Sequence, residues 1–354
     1  MARRAGHTLR EVAELAGVSI GTASRVLANN PSVSVSMREA VRKAAHDLAY
    51  EPPRRALRGG GGTAVGVLTR EGLGIGTSNP FYSYVLEGIQ RAASDRGLSL
   101  MYEAVPEHGD DAWRLPWLLR PANVKAVIMM GYVSDEFARH VCSCGVPAVV
   151  VDHRLDSLPI DTVCNDDFGG ARHAVRRLLD WGHRDPVPAV ITGPLHHGSL
   201  SARFEGYRAA LREAGLRAVP AYVRPGNLDA ASGYAETMAL LDLPTPPTAV
   251  FCFNDLMAIG ALNALHERGV QVPRDCTVVG YDDTDLAVHT NPPLTSVAID
   301  KTLLGMQAVW HLSERWSHPE ISARRTLVPA GFTERRSAGV RPTSVATGPR
   351  TLNR

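Results

Sequence analysis

The stretch TLREVAELAGVSIGTASRVL, residues 8–27, has the pattern of two short helices joined by a tight turn. Thr8 and Glu11 are spaced as a capping box, which predicts a helix that begins directly after Thr8. Gly17 interrupts the apolar stripe of this helix, at a point where a left-handed turn residue is needed. Ser19 is placed to cap a second helix that extends to the end of the stretch. Residues 8–27 therefore predict a helix-turn-helix.

A third helix is predicted shortly after this pair. Ser36 and Glu39 have capping-box spacing, so the helix is expected to begin near Ser34 or Ser36. Its apolar stripe consists of Val41, Ala44, Ala45 and Leu48. Three short helices can close a small core of their own. The alternative is that they form one corner of a larger helical body.

The basic charge of the chain is concentrated in this segment. Residues 1–58 contain nine Arg and one Lys against five Asp and Glu, a net charge of +5. Because the 354-residue chain carries +2 in total, the remainder carries −3. A basic segment that also has the pattern of a helix-turn-helix favours DNA as its partner. A solvated basic tail is the alternative.

The same segment resembles the DNA-binding head of the LacI/GalR family of bacterial transcriptional regulators. The matching residues are 8–19, TLREVAELAGVS, and 22–29, TASRVLAN. The resemblance implies that the second helix enters the major groove, where its first side chains meet base edges. Candidate base contacts are Ile20, Gly21 and Arg25, the first two standing where family members vary their specificity residues. Candidate phosphate-binding or capping groups are Thr8, Ser19, Thr22, Ser24 and Asn29.

Residues 51–62 are rich in proline and glycine, which predicts a linker. The resemblance implies a hinge that folds into a helix on the operator and inserts a leucine into the minor groove. Leu57, between Arg55 and Arg58, is the candidate wedge, with the arginines on phosphate. The segment is about two residues shorter than is usual in the family, and Pro53 stands where Asn is common. A flexible linker is the alternative.

From residue 63 onward, apolar runs alternate with amphipathic helical stretches. This alternation predicts buried parallel sheets with helices on both faces, and the length suits two such lobes around a cleft. The predicted strands are Ala64–Leu68, Ala126–Met130, Ala148–Val151, Ala189–Ile191, Ala249–Cys252 and Thr277–Val279.

The predicted domain organisation is an all-α helix-turn-helix head, a hinge and an α/β body of two doubly wound parallel-sheet lobes. The head covers 1–50, the hinge 51–62 and the body 63–335. The first lobe is expected to comprise about 63–165 and 292–322, and the second about 166–291 and 323–335. Residues 336–354, rich in Pro, Thr, Arg and Gly, are expected to form a disordered tail.

Polar residues follow several of the predicted strands. In open α/β sheets ligands bind beyond the carboxyl ends of the strands, where Asp152, Asn254 and Asp282 stand. Such carboxylates accept hydrogen bonds from vicinal hydroxyls, and an arginine such as Arg203 donates a planar fork. Asp255 is predicted to cap its helix rather than to bind a ligand.

The family resemblance extends over about residues 8–335 and adds expectations for this body. It implies a periplasmic-binding-protein-like fold, a homodimer, a palindromic operator and a small-molecule effector that is most often a sugar. The expected protein is a repressor whose operator affinity the effector controls, with relief of repression favoured over corepression. Candidate effector contacts are Phe81, Tyr82, Asp152, His197, Ser199, Arg203, Phe251, Asn254 and Asp282.

Other chemistries find little support in the sequence. The five cysteines contain no C-x-x-C pair and are expected to be reduced core residues; no cofactor or metal is expected. The run Asp282–Asp285 lacks the glycine and the distal glutamate of a calcium loop. No hydrolase, metalloprotease or phosphate-binding motif is present, so an enzyme is not expected. No signal peptide and no run of eighteen apolar residues occurs, which favours a cytoplasmic, nucleoid-associated protein without a membrane partner.

Two other functions share the predicted body. A solute-binding receptor of a transporter has the same two lobes, but it requires export and has no use for a DNA-binding head. A sugar hydrolase can use paired carboxylates in a cleft, yet no base or nucleophile partner is evident in the sequence.

Overall fold

The computed structural model describes residues 8–27, 35–48, 64–71, 80–105, 116–119, 123–131, 133–155 and 157–341. The chain divides into two compact units, Met1–Arg58 and Gly59–Arg354. In these described ranges, no helix is long and apolar enough to cross a membrane.

The first unit is helical. Helix α1 spans Leu9–Leu15, α2 spans Ile20–Leu27 and α3 spans Val35–Asp47. The capping box is confirmed: the Glu11 amide donates to the Thr8 hydroxyl at 3.3 Å, and the Thr8 amide donates to the Glu11 carboxylate at 2.6 Å. Gly17 turns the chain with φ +64°, as predicted.

A small apolar core closes the first unit. Its buried members come from all three helices and are Val12, Ala13, Ala23, Val26, Val41 and Ala44. Helix α2 begins after Ser19, whose hydroxyl accepts the Thr22 amide at 3.1 Å. The predicted capping box at Ser36 and Glu39 is wrong, because α3 already includes Ser36.

The described residues of the second unit form two sheets, as predicted, and each sheet has six strands. The first sheet has the order β11-β5-β4-β3-β1-β2, and all its neighbouring strands are parallel. Its strands are β1 Ala64–Arg70, β2 Ser99–Val105, β3 Ala126–Met130, β4 Ala148–Val151, β5 Asp161–Asn165 and β11 Arg325–Val328.

The second sheet has the order β12-β10-β9-β8-β6-β7. Its strands are parallel except for β12, which is antiparallel to β10. They are β6 Ala189–Thr192, β7 Val223–Pro225, β8 Ala249–Cys252, β9 Thr277–Asp282, β10 Thr295–Ala298 and β12 Gly331–Thr333.

Helices pack against both sheets. The helices of the first lobe are α4 Phe81–Ser94, α5 Asp135–Ser143 and α11 Lys301–Ser317. The helices of the second lobe are α6 Asp167–Asp180, α7 Gly198–Glu213, α8 Ala230–Leu241, α9 Asp255–Glu267 and α10 Leu286–His289. Helices α4 and α11 cross so closely that a Cβ on Gly305 would lie 1.9 Å from the Val85 carbonyl oxygen.

The chain passes between the lobes three times, after β5, after β10 and after β11. Two predicted lobe boundaries are wrong as a result. Residues 292–322 were assigned to the first lobe, but β10 within them pairs with β9 of the second sheet. Residues 323–335 were assigned to the second lobe, but β11 pairs with β5 of the first. Strand partners are set by tertiary pairing, which the local apolar pattern of a four-residue strand does not encode.

The cysteines are all free thiols, and their burial differs. Cys164, Cys252 and Cys276 are buried, whereas Cys144 is half-buried and Cys142 is exposed on α5. The prediction of a core position is therefore wrong for Cys142.

Candidate functional site

A cavity of about 70 Å³, partly open to solvent, lies in the second unit. Both lobes line it. The residues are Phe81, Tyr82 and Asp152 from the first lobe, and His197, Ser199, Leu200, Arg203, Leu228, Asn254 and Asp282 from the second.

Asp152 is the carboxylate of the first lobe in this cavity. It directly follows β4 and is buried. The Tyr82 hydroxyl donates to its Oδ2 at 2.9 Å, and the Ser199 hydroxyl, from the other lobe, lies 3.3 Å from its Oδ1. Burial raises the pKa of Asp152, although the Arg203 charge and these two hydrogen bonds oppose the rise.

Arg203 is the buried cation of the cavity. Its Nε donates to Asp167 Oδ1 at 2.8 Å, one Nη donates to the Phe253 carbonyl, and the other lies 3.6 Å from Asp282 Oδ1. Its guanidinium carbon stands 3.7 Å from the centre of the Tyr281 ring. Burial acts to lower the pKa of Arg203, but the charges of the two aspartates outweigh it and raise that pKa above its ordinary value.

The partners of Arg203 are carboxyls that burial makes easier to protonate. Burial raises the pKa of Asp167 to about 6 and that of Asp282 well above its usual range, with Arg203 opposing both shifts. The second lobe alone supplies this cluster. Because a lone buried charge is very costly, the arginine and its two carboxylates depend on one another.

Backbone strain is concentrated at the cavity. Four non-glycine residues in the described ranges have left-handed backbone: Asp152, Leu228, Asp282 and Asp283 have φ of 60°, 63°, 101° and 50°. Three of them line the cavity. Such conformations cost energy and recur at binding sites, where the surrounding structure enforces them.

Asn254 connects two parts of the second lobe. Its Oδ1 accepts the Met257 amide at 2.9 Å and so caps α9, while its Nδ2 donates to the Leu228 carbonyl at 2.8 Å. The prediction that Asp255 caps this helix is wrong. Asp255 is instead buried in the lobe, where it accepts from the Ser296 hydroxyl at 2.6 Å and the Thr284 amide at 2.7 Å.

His197 precedes α7 at the edge of the cavity. Its Nδ1 accepts the Ser199 amide at 3.3 Å, and its ring lies edge-on to His153 of the first lobe at 5.3 Å. Burial, followed by the Arg203 charge, lowers the pKa of His197 to about 3. The imidazole is therefore neutral at neutral pH.

The structure brings eight of the nine predicted effector contacts to this one cavity. The exception is Phe251, which lies fully buried in β8 against the rings of Phe253 and Tyr281, so its predicted contact is wrong. Two apolar lining residues escaped the sequence reasoning. Leu200 precedes Arg203 by three positions on α7, a spacing that signals a shared helix face. Leu228 follows β7, a three-residue strand that the sequence pattern did not predict.

The comparisons with known proteins agree with this geometry. Residues 8–53 match the family of bacterial regulatory proteins of the lacI type, and residues 175–338 match a periplasmic binding protein-like domain. The ribose operon repressor of Escherichia coli (strain K12) is 32% identical over 335 residues, which cover 94% of this chain and 99% of that repressor. The chain belongs to the LacI family.

Solved structures of LacI-family proteins resemble the chain over most of its length. The complex of the regulator CelR with cellobiose has a TM-score of 0.73 at 33% identity and covers 94% of this chain and 100% of its own. The lac repressor dimer bound to operator and the anti-inducer ONPF has a TM-score of 0.70 at 31% identity, with coverages of 94% and 99%. The predicted family and fold class are confirmed, and the function of this family is transcriptional regulation.

The LacI-type head presents the start of α2 to solvent. Ile20 is 44% exposed and Gly21 is also exposed, as base-contacting residues must be. The hydroxyls of Ser19 and Thr22 lie 2.9 Å apart, and the Thr8 hydroxyl is engaged in its capping box. Ser24 and Arg25 lie on α2, but the structure does not describe their side chains. Asn29, Arg55 and Leu57 lie outside the described residues.

Proposed function

We propose that this LacI-family regulator is a repressor that binds a palindromic operator as a homodimer, with an affinity set by a sugar or sugar derivative in the cavity. The observation that carries the effector site is the convergence of both lobes on one cavity with carboxylate, amide, hydroxyl and guanidinium groups. A cavity shared by two lobes gives a ligand a different affinity for each arrangement of the lobes. That difference is what allosteric control requires.

The lining has the two kinds of surface that a sugar needs. Asp152, Asn254 and Asp282 offer polar atoms for ring hydroxyls, whereas Leu200 and Leu228 offer apolar surface for carbon-bound hydrogens. The CelR neighbour was solved with cellobiose, which supports the same ligand class here.

Contacts between the lobes connect effector binding to the arrangement of the two lobes. Ser199 of the second lobe bonds to Asp152 of the first, and the Tyr84 hydroxyl of α4 donates to Asp285 before α10 at 2.7 Å. A ligand that adds contacts to both lobes favours one arrangement over others, typically by ~1 to 3 kcal/mol of coupling to the operator. We favour an effector that lowers operator affinity and so relieves repression. An effector that raises operator affinity, a corepressor, is the alternative.

On the DNA side, α2 enters the major groove, where Ile20, Gly21 and Arg25 meet bases. Thr8, Ser19, Thr22, Ser24 and Asn29 hold phosphates or cap helices, and Leu57 and Arg55 act in the minor groove. With two heads on a two-fold axis, the half-sites lie about 34 to 36 Å apart. The lac repressor neighbour was solved as a dimer on its operator, which supports this assembly. We place the protein in the cytoplasm, where it meets its operator.

An enzyme with the same cavity is the competing function. Its carboxylates are engaged with Tyr82, Ser199 and Arg203, an arrangement that orients hydroxyls rather than one that activates a nucleophile. We therefore propose binding without turnover. Incubation of the protein with any sugar that binds, followed by product analysis, tests this, since measurable turnover would replace the proposed role.

The decisive experiment is binding of the full chain to genomic fragments, beginning with its own promoter region, with and without a pool of sugars. We expect specific binding centred on a palindrome, changed at least ~5-fold by the pool. Binding that depends on salt but not on DNA sequence would contradict the regulatory proposal.

A further inference from the structure

We infer that the cavity selects an uncharged or positively charged hydroxylated ligand and rejects its anionic derivatives, such as sugar phosphates and uronates. The inference rests on the proposed function, because it takes the cavity as the effector site, and it names the charge of the effector. Three features of the described residues support it: the balance of charges, the use of hydrogen-bond donors and the engagement of nearby cations.

Carboxyl groups outnumber cationic side chains at the cavity. Asp152 and Asp282 line it, and Asp167 lies directly behind Arg203 at 2.8 Å. Arg203 is the one cation among the lining residues in the described part of the chain. An anionic group that enters this site meets an excess of like charge at short range, which lowers affinity.

The hydroxyls and the side-chain amide of the lining each donate to a protein group. The hydroxyls of Tyr82 and Ser199 both point to Asp152, and the Asn254 amide donates to the Leu228 carbonyl. By contrast, Asp282 Oδ1 is buried and accepts no hydrogen bond from the described residues, since its 3.6 Å ion pair is too long for one. The unmet need is for a donor, which a hydroxyl or ammonium group supplies and a carboxylate or phosphate does not.

The guanidinium of Arg203 is largely engaged by protein groups: two of its three nitrogens donate hydrogen bonds, and the third lies in an ion pair with Asp282. All three of its nitrogens face protein groups, namely Asp167, the Phe253 carbonyl and Asp282, and the Tyr281 ring covers one face. An anionic ligand that binds the third nitrogen competes with the Asp282 carboxylate for the arginine. Displacing that carboxylate would leave it buried without its cation, which is costly.

The neighbouring cations are also engaged or lie elsewhere. The Lys301 ammonium donates to three backbone carbonyls, among them those of Asp282 at 2.5 Å and Asp283 at 3.2 Å. Arg70 and Arg154 belong to the first lobe, on the side of the histidine pair, and neither lines the cavity. No further positive charge of the described lining compensates the carboxylates.

The test is a set of calorimetric titrations of the full chain at pH 8, which is above the pKa of about 6 of Asp167. The probes are sets that share a ring form: glucose, glucosamine, glucuronate and glucose 6-phosphate; and cellobiose and cellobiose 6′-phosphate. In every set that binds, we expect the anionic member to bind at least ~10-fold more weakly than its neutral parent.

The variant Asp282→Asn sharpens the test, since Asn is similar in size and also tolerates a left-handed backbone. It should reduce the preference for the neutral over the anionic member by at least ~5-fold. The control Asp180→Asn, at the exposed end of α6, makes the same change in net charge away from the cavity and should leave that preference unaltered.

Each outcome has a distinct meaning. An anionic member that binds as well as its parent, or an equal response of both variants, overturns the charge selection and leaves a sugar effector in place. If no probe binds and none changes operator affinity, the sugar effector of the proposed function is itself overturned, and the charge selection with it.

Discussion

The two lobes contribute to the cavity in different ways. The second lobe supplies seven of the ten lining residues and contains the whole cluster of Arg203, Asp167, Asp282 and Tyr281. The first lobe supplies two aromatic rings and Asp152, whose carboxylate is bonded partly to Ser199 of the other lobe. The second lobe therefore has a preformed polar site, whereas the first lobe completes the site only when the lobes are together.

The largest expected effect is in the second lobe. Arg203→Met removes the partner of two buried carboxylates, so the free energy of unfolding should fall by about 3 to 5 kcal/mol and effector binding should be lost. Urea denaturation and calorimetry measure these two quantities. Arg208→Met, on the same helix but in an exposed pair with Glu205, should cost about 1 kcal/mol or less. Equal losses in the two variants would show that the buried cluster has no special role.

The second largest expected effect is a difference between the lobes in the pH dependence of stability. Burial, followed by the His197 charge, lowers the pKa of His153 to about 4, below its ordinary 6.5. The contribution of neutral His153 to the free energy of unfolding is therefore present above pH 6.5 and is lost as pH falls toward 4. Asp167 and Asp255 of the second lobe act in the opposite sense, because burial raises the pKa of each to about 6 and acid favours their folded form.

The variant His153→Gln isolates the contribution of the first lobe. Relative to the parent, its unfolding free energy should rise by about 1 to 2 kcal/mol between pH 7 and pH 5. His197 of the second lobe shifts in the same direction and stays in both proteins. His289→Gln at the exposed end of α10 is the control, and its stability should follow the parent at each pH. A His153→Gln curve parallel to the parent's would remove the histidine from this comparison.

The smallest expected effect tests whether the first lobe contributes to effector binding. Tyr82→Phe deletes the hydroxyl that donates to Asp152 and should weaken effector binding by about 5-fold, near the 1 kcal/mol of one hydrogen bond. Tyr222→Phe removes a comparable bond of 2.7 Å to the Thr245 carbonyl, remote from the cavity. It should lower stability without changing effector affinity. An unchanged affinity in Tyr82→Phe would leave the second lobe as the sole binding surface.

The sequence predicts those residues of the site whose positions depend only on the local pattern of strands and loops. Asp152, Asn254 and Asp282 were found because a strand pattern and the rule for carboxyl ends locate them without any knowledge of the tertiary structure. Phe251 was assigned wrongly because side chains alternate along a strand, and its side faces the core. Leu228 and the lobe membership of β10 and β11 depend on contacts between distant segments, which no local pattern contains.

The three passages of the chain between the lobes have a consequence for synthesis. The first sheet receives its edge strand β11 from residues 325–328, and the second sheet receives β12 from residues 331–333. A nascent chain of 320 residues therefore lacks one edge strand of each sheet. Residues 325–333 complete both sheets, so a nonsense mutation anywhere before Arg325 leaves both lobes unfinished at once.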